Sequence, residues 1–250
     1  MKNYIYHYTT VKTLALMFSN KTLRFNSLAN VDDMEEGQVA IFGDMSKYIF
    51  VSSWTKDKKE NIALWHMYTN NLAGIRIKID SSKIKLYKDE NNRVVNINSN
   101  KKIIAFKNKN FLLDIEYVDN PKVDFFDNSG NITNQQIANL GKFKNKIWNF
   151  QNEIRFILMG LPFSSIDNNL LNFLSLKNIF DEAILHKVKT NINYIDLKLD
   201  DDLWNDAEIL LAPNTNLADE RIIRSLIKTY YPDKNIKIKR SSLKLRIKSY

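Results

Sequence analysis

The spacing of the β-forming runs constrains this chain more than any other feature. Residues 4–8 (YIYHY), 48–54 (YIFVSSW), 74–79 (GIRIKI), 111–118 (FLLDIEYV) and 153–159 (EIRFILM) are dense in β-branched and aromatic residues, and each is short enough for a single strand. Helical patterns separate them. Thr9 and Thr10 offer hydroxyl caps to a helix over 11–20, a second helix runs up to Tyr68, and Ile137, Leu140, Phe143 and Ile147 recur at helical spacing over 133–148. A further helix is expected over 217–230, opened by Thr215 or Asn216, with short strands at 22–25, 208–211, 236–239 and 243–247. The expectation is one α+β domain over 1–250, with mixed or antiparallel sheets and flanking helices.

Punctuation supports that reading. Pro213 and the Gly160-Leu161-Pro162 step read as turns, and no Pro/Gly/Ser stretch is long enough to separate domains. Residues 27–37 (SLANVDDMEEG) form an acidic, turn-rich segment able to begin a helix, and 85–110 suggests an edge strand with a mobile loop over 89–92.

Composition narrows the function classes. With 44% hydrophobic and 12% aromatic residues in 250, the chain can bury a substantial core. The absence of cysteine excludes disulfides, thiolate zinc sites and a cysteine nucleophile, and fits a reducing cytoplasm. No apolar run reaches the length of a membrane span, so no membrane partner is expected. The net charge of +9 invites nucleic acid or an anionic cofactor, but the lysine-rich, asparagine-rich composition explains much of it without either, and no recognition motif adds weight to nucleic acid.

Few residues stand out chemically. His7, His66 and His186 are too dispersed for a local metal motif, and no glycine-rich phosphate loop or nucleophile elbow is present. His7 sits among aromatics on the first strand, where a satisfied core histidine is the simplest account, and His66 reads as a helix-surface residue. Asp32, Asp33, Glu35 and Glu36 are either magnesium ligands or an acidic first helical turn. Glu153 and Arg155, two apart on a strand, face one side and either pair or share a substrate.

Order is more specific than any single piece. Tyr6-His7-Tyr8-Thr9, Leu23 to Ser27, the acidic Asp32 to Glu36, Phe50 to Thr55, Leu64 to Tyr68, Gly74 to Ile77, Trp148 with Asn152 to Arg155, and Glu208 to Pro213 follow one another along the chain. This series resembles the bacterial family catalogued as domain of unknown function 2971, over nearly the whole length. It departs from that pattern where Asp32 replaces a turn asparagine, Met34 a proline, and a glycine near Ala212 is missing. The family's layout is similar to the ADP-ribosyltransferase fold. That resemblance implies NAD as a consumed substrate, held by His7 with Thr9 as helper, and Glu153 directing ribosyl transfer. It further implies Tyr8, Trp54, Trp65 or Tyr68 against the nicotinamide and Arg24 or Arg155 at the pyrophosphate, with no metal. A toxin or phage-defence effector with an unnamed acceptor would follow, or an NAD glycohydrolase if water accepts. A non-catalytic module for an acidic partner, and a nuclease using Asp32, Asp33, Glu36 and Glu153 around magnesium, stand as alternatives.

Overall fold

The computed structural model describes residues 3–39, 43–84, 93–98, 101–122, 139–162 and 192–245. In chain order the strands and α-helices are β1 (Tyr4–Thr9), α1 (Val11–Asn20), β2 (Thr22–Ser27), β3 (Gln38–Val39), β4 (Gly43–Asp44), β5 (Ile49–Thr55), α2 (Ile62–Tyr68), β6 (Ile75–Asp80), β7 (Arg93–Asn98), β8 (Lys101–Asp114), β9 (Glu116–Val118), β10 (Phe143–Asn145), β11 (Glu153–Pro162), β12 (Tyr194–Lys198), β13 (Glu208–Leu211), α3 (Leu217–Tyr230) and β14 (Lys237–Arg240). The described residues adopt the expected mixture of helices and sheet, and of the mixed or antiparallel sheets expected the main one is mostly antiparallel. Among the described residues no helix is long and apolar enough to cross a membrane.

One sheet runs through the molecule in the order β14-β13-β6-β1-β5-β11-β8-β7, with β2 on β5 and β12 on β2. Among the described residues only the edge pair β13–β14 is parallel within it. Its middle is not continuous. One edge of β5 is matched to β11 from Thr55–Glu153 to Ile49–Met159. Its other edge meets β1 through the single pair Tyr6–Thr55, then β2 through Val51–Asn26 and Phe50–Ser27. Between those contacts β1 and β5 part, and the sheet divides into two halves hinged at Thr55.

Helices α1 and α3 cover the sheet because their apolar residues recur on one side. Thr10 caps α1 by accepting from the Thr13 amide, and Asn216 caps α3 by accepting from Asp219. Leu14, Met17 and Phe18 of α1 and Ile223 of α3 are buried with Ile5, Phe25, Phe50 and Ile77 of the sheet. Phe18 packs edge-on against Trp204 and Tyr231, with ring centroids 4.7 and 4.8 Å away. A side chain so buried contributes about 1.5–3 kcal/mol.

Several expectations require correction. The described part of the helix expected over 133–148 is not α-helical: Phe143–Asn145 is strand β10, parallel to β9, and Lys146–Gln151 is a 3-10 turn capped by Asn145. Phe143 and Ile147 at spacing four suit a tight turn as well as a helix. Gly160-Leu161-Pro162 continues β11 instead of turning, since the strand ends at Pro162. The run 111–118 is divided at Ile115 between β8 and β9, which belong to different sheets. Leu243–Leu245 is irregular, and Leu243 and Leu245 pack against the cluster that Tyr8, Leu64, Trp65, Leu72, Leu210 and Ala212 form. The acidic segment begins no α-helix, only the 3-10 turn Leu28–Asn30 followed by further turns. The loop expected over 89–92 lies outside the described residues, as does His186.

Candidate functional site

Where β1 and β5 part, a cavity of about 510 Å³ opens, lined by both His7 and Glu153. Alternation along a flat sheet would set these residues on opposite faces, because Tyr6, Thr55 and Glu153 stand in one cross-strand row and His7 follows Tyr6. The parting removes that restriction. The His7 ring enters the gap, and its Nδ1 lies 2.9 Å from the Ser53 carbonyl, an edge acceptor that a paired β1 would have faced with backbone. A carbonyl only accepts, so Nδ1 carries the proton and Nε2 is an acceptor. Burial pushes the imidazole below its ordinary 6.5, with the Ser53 contact opposing in part, so His7 is neutral at pH 7. Its ring rests against Trp54, centroids 5.0 Å apart.

Glu153 is positioned differently. Fixed on β11, its Oε1 accepts from Arg155 Nε at 2.7 Å and its Oε2 from Lys144 at 3.2 Å. Arg155 also grips Glu36 and donates to the Gly141 carbonyl at 3.2 Å, while Lys144 reaches Glu36 at 3.0 Å and Gln151 Oε1 at 2.8 Å. Glu36, Lys144, Glu153 and Arg155 are all buried, and their charges cancel. Cancellation is required, since a lone buried charge costs several kcal/mol. Burial alone would raise the Glu153 pKa, but Arg155 and then Lys144 outweigh it and hold the carboxyl below its usual range. Glu153 is therefore an anion at neutral pH.

The remaining candidates divide. Thr9, Tyr8, Arg24, Trp54, Tyr68 and Arg155 also line the cavity. Tyr68 receives a hydrogen bond from Gln151 Nε2 at 3.0 Å, and burial raises its hydroxyl so that it stays protonated. Tyr8 uses its hydroxyl to accept from the Asn61 amide at 2.9 Å. Arg24 holds Asp196 with two bonds of 2.8 Å. Trp65 does not reach the cavity: it is fully buried beneath Tyr8 and donates to Glu60, which removes it from any stacking role. His66 is exposed on α2.

The acidic segment also divides. Asp32 lines the cavity, Asp33 is buried beside it with Oδ1 accepting from the Glu35 amide, and Glu36 belongs to the ionic cluster. Among the described residues no three His, Asp or Glu side chains are grouped as metal ligands would be. The nuclease set is not assembled, because Arg155 and Lys144 stand between Glu36 and Glu153 and neutralise both. Lys144, Gln151 and the Arg24 partner Asp196 are site residues that sequence reasoning missed.

Comparison with protein-family models, curated proteins and solved structures found no match to this chain.

Proposed function

We propose that the cleft cleaves the N-glycosidic bond of a riboside, with NAD⁺ as the consumed substrate, and passes the ADP-ribosyl group to an acceptor or to water. The observation that carries this reading is that a histidine neutral at pH 7 and a glutamate ionised at pH 7 line one cavity at the parting of two half-sheets. The cavity's volume suits a nicotinamide riboside unit.

Each residue then has a defined task. Breaking the bond sends its electron pair to nicotinamide and leaves oxocarbenium character on the ribose, which the Glu153 carboxylate stabilises. Arg155 and Lys144 keep that carboxylate ionised and fixed in orientation. His7 Nε2 accepts from a ribose hydroxyl, because Nδ1 is committed to Ser53. The acceptor hydroxyl, or water, attacks the anomeric carbon and gives its proton to solvent. Trp54 and Tyr68 supply aromatic surface beside the base.

The decisive measurement is nicotinamide release from NAD⁺ by the purified protein, alone and with nucleic-acid or protein acceptors. Release that is lost in the charge-balanced Glu153→Gln/Lys144→Gln variant supports the reading, and no release by the wild type under any of these conditions discards it. A non-catalytic binding module is the second reading, favoured by the engagement of both Glu153 oxygens in the ionic cluster. Under it Glu153 serves stability alone, and ligand binding persists without turnover.

A further inference from the structure

We infer that Asp196 sets which part of the substrate the cleft grips: by occupying Arg24 it leaves the described lining without a free phosphate-binding cation, so the site holds the riboside and not the phosphates. The inference deepens the riboside reading above by naming the portion of the substrate that the cleft grips.

Charge on the cavity wall carries the case. The charged side chains on its described lining are Arg24, Lys144 and Arg155 against Asp32, Glu153 and Asp196. Lys144 and Arg155 both also contact Glu36 just behind the wall, so the local balance is negative in a protein whose net charge is +9. A pyrophosphate needs cations with donors to spare. Among the described lining residues every cation already holds a carboxylate.

Arg24 is the one cation of the three near the surface, and it is tightly held. Arg24 on β2 and Asp196 on β12 are direct cross-strand partners, so their side chains emerge side by side. The pair is bidentate, and the guanidinium lies 3.6 Å from the centre of the Tyr194 ring, which fixes its plane. Bidentate, stacked geometry is where a partly exposed pair counts energetically. A phosphate would have to displace Asp196 from this arrangement and then sit beside its charge. Around it the lining offers neutral polar groups suited to sugar hydroxyls, among them Thr13, Thr22 and Asn26. A pyridinium riboside, which carries a positive base and no phosphate, matches both the balance and these groups, and the phosphates of NAD⁺ stay in solvent.

The test compares pyrophosphate, nicotinamide riboside and NAD⁺ by calorimetry on the wild type, Asp196→Asn and the double variant Asp196→Asn/Arg24→Ala, with nicotinamide release followed in parallel. The near-isosteric Asp196→Asn change releases Arg24 and should raise pyrophosphate affinity about tenfold or more, a gain that the double variant should lose. Wild type should bind and cleave nicotinamide riboside at least as well as NAD⁺. The inference is overturned if Asp196→Asn leaves pyrophosphate binding unchanged, or if wild type prefers NAD⁺ over the riboside by more than about tenfold. Absence of cleavage of either compound would sink the glycosidic reading, and the pyrophosphate arm would still decide the role of Asp196.

Discussion

Arg155 donates from both terminal guanidinium nitrogens to Glu36, a residue 119 positions before it in the chain. The same guanidinium holds Glu153 through Nε, so one buried cation joins the acidic turn to the first residue of β11. Replacing Arg155 by Met leaves two buried carboxylates facing Lys144 alone and should cost about 3–5 kcal/mol in urea unfolding. Adding Glu36→Gln restores neutrality, with Glu153 against Lys144. The double variant should therefore cost clearly less than the sum of its single changes, and simple additivity would show that the cluster is not a unit.

His7 predicts a pH dependence at the mildly acidic end. Its folded-state pKa is lowered by burial, so the native state binds the proton less readily than the unfolded chain. Its contribution to stability is complete above the ordinary value of 6.5 and is lost as pH falls from there through the folded value. His7→Gln should flatten the stability profile below pH 6.5, seen as denaturation midpoints that no longer decline with the wild type's slope. Nitrogen-15 spectra of the wild type should show the tautomer protonated on Nδ1, and an Nε2–H tautomer would contradict the Ser53 bond.

Gly74 permits a close crossing beside the cleft. A Cβ there would stand 2.5 Å from the Thr9 carbonyl oxygen and 2.5 Å from Thr69 Cβ, while the Gly74 carbonyl accepts from the Ala212 amide and the Thr215 hydroxyl. The obstacle is partly backbone, so it cannot rotate away. Gly74→Ala should destabilise by about 1–3 kcal/mol through overpacking and should weaken ligand binding, since Thr9 lines the cavity. A wild-type melting temperature in that variant would mean that β1 and β6 separate freely.

What was legible in the sequence was local. Glu153 and Arg155 at spacing two had to share a face if 153–159 was a strand, and they do pair. Tyr4–Thr9 and Ile75–Asp80 read as strands from their own residues and pair along six positions. The parting of β1 from β5 was not legible, because it arises from which strands meet Thr55 and Val51 and from nothing inside residues 4–8. Lys144 was hidden in a stretch whose apolar spacing fits a helix and a tight turn equally. Asp196 was hidden by distance, 172 positions from Arg24 in an otherwise unremarked strand. A polar residue's role depended on its partner, and partners far apart in sequence leave no periodic trace.

Kinetics can separate the structural and chemical roles of Glu153. Glu153→Gln removes a negative charge from the neutral cluster, so loss of activity in that variant alone would mix catalysis with stability. Pairing it with Lys144→Gln leaves Glu36 against Arg155 and restores the balance. The double variant should unfold nearer the wild-type urea midpoint than Glu153→Gln does, yet its kcat for nicotinamide release should remain down by about 10²–10³-fold, the usual cost of removing a charge that stabilises a transition state. His7→Ala should act mainly on KM, because its Nε2 meets the ribose in the ground state as well. Recovery of kcat along with stability in the double variant would assign Glu153 to the fold and leave the chemistry to another group.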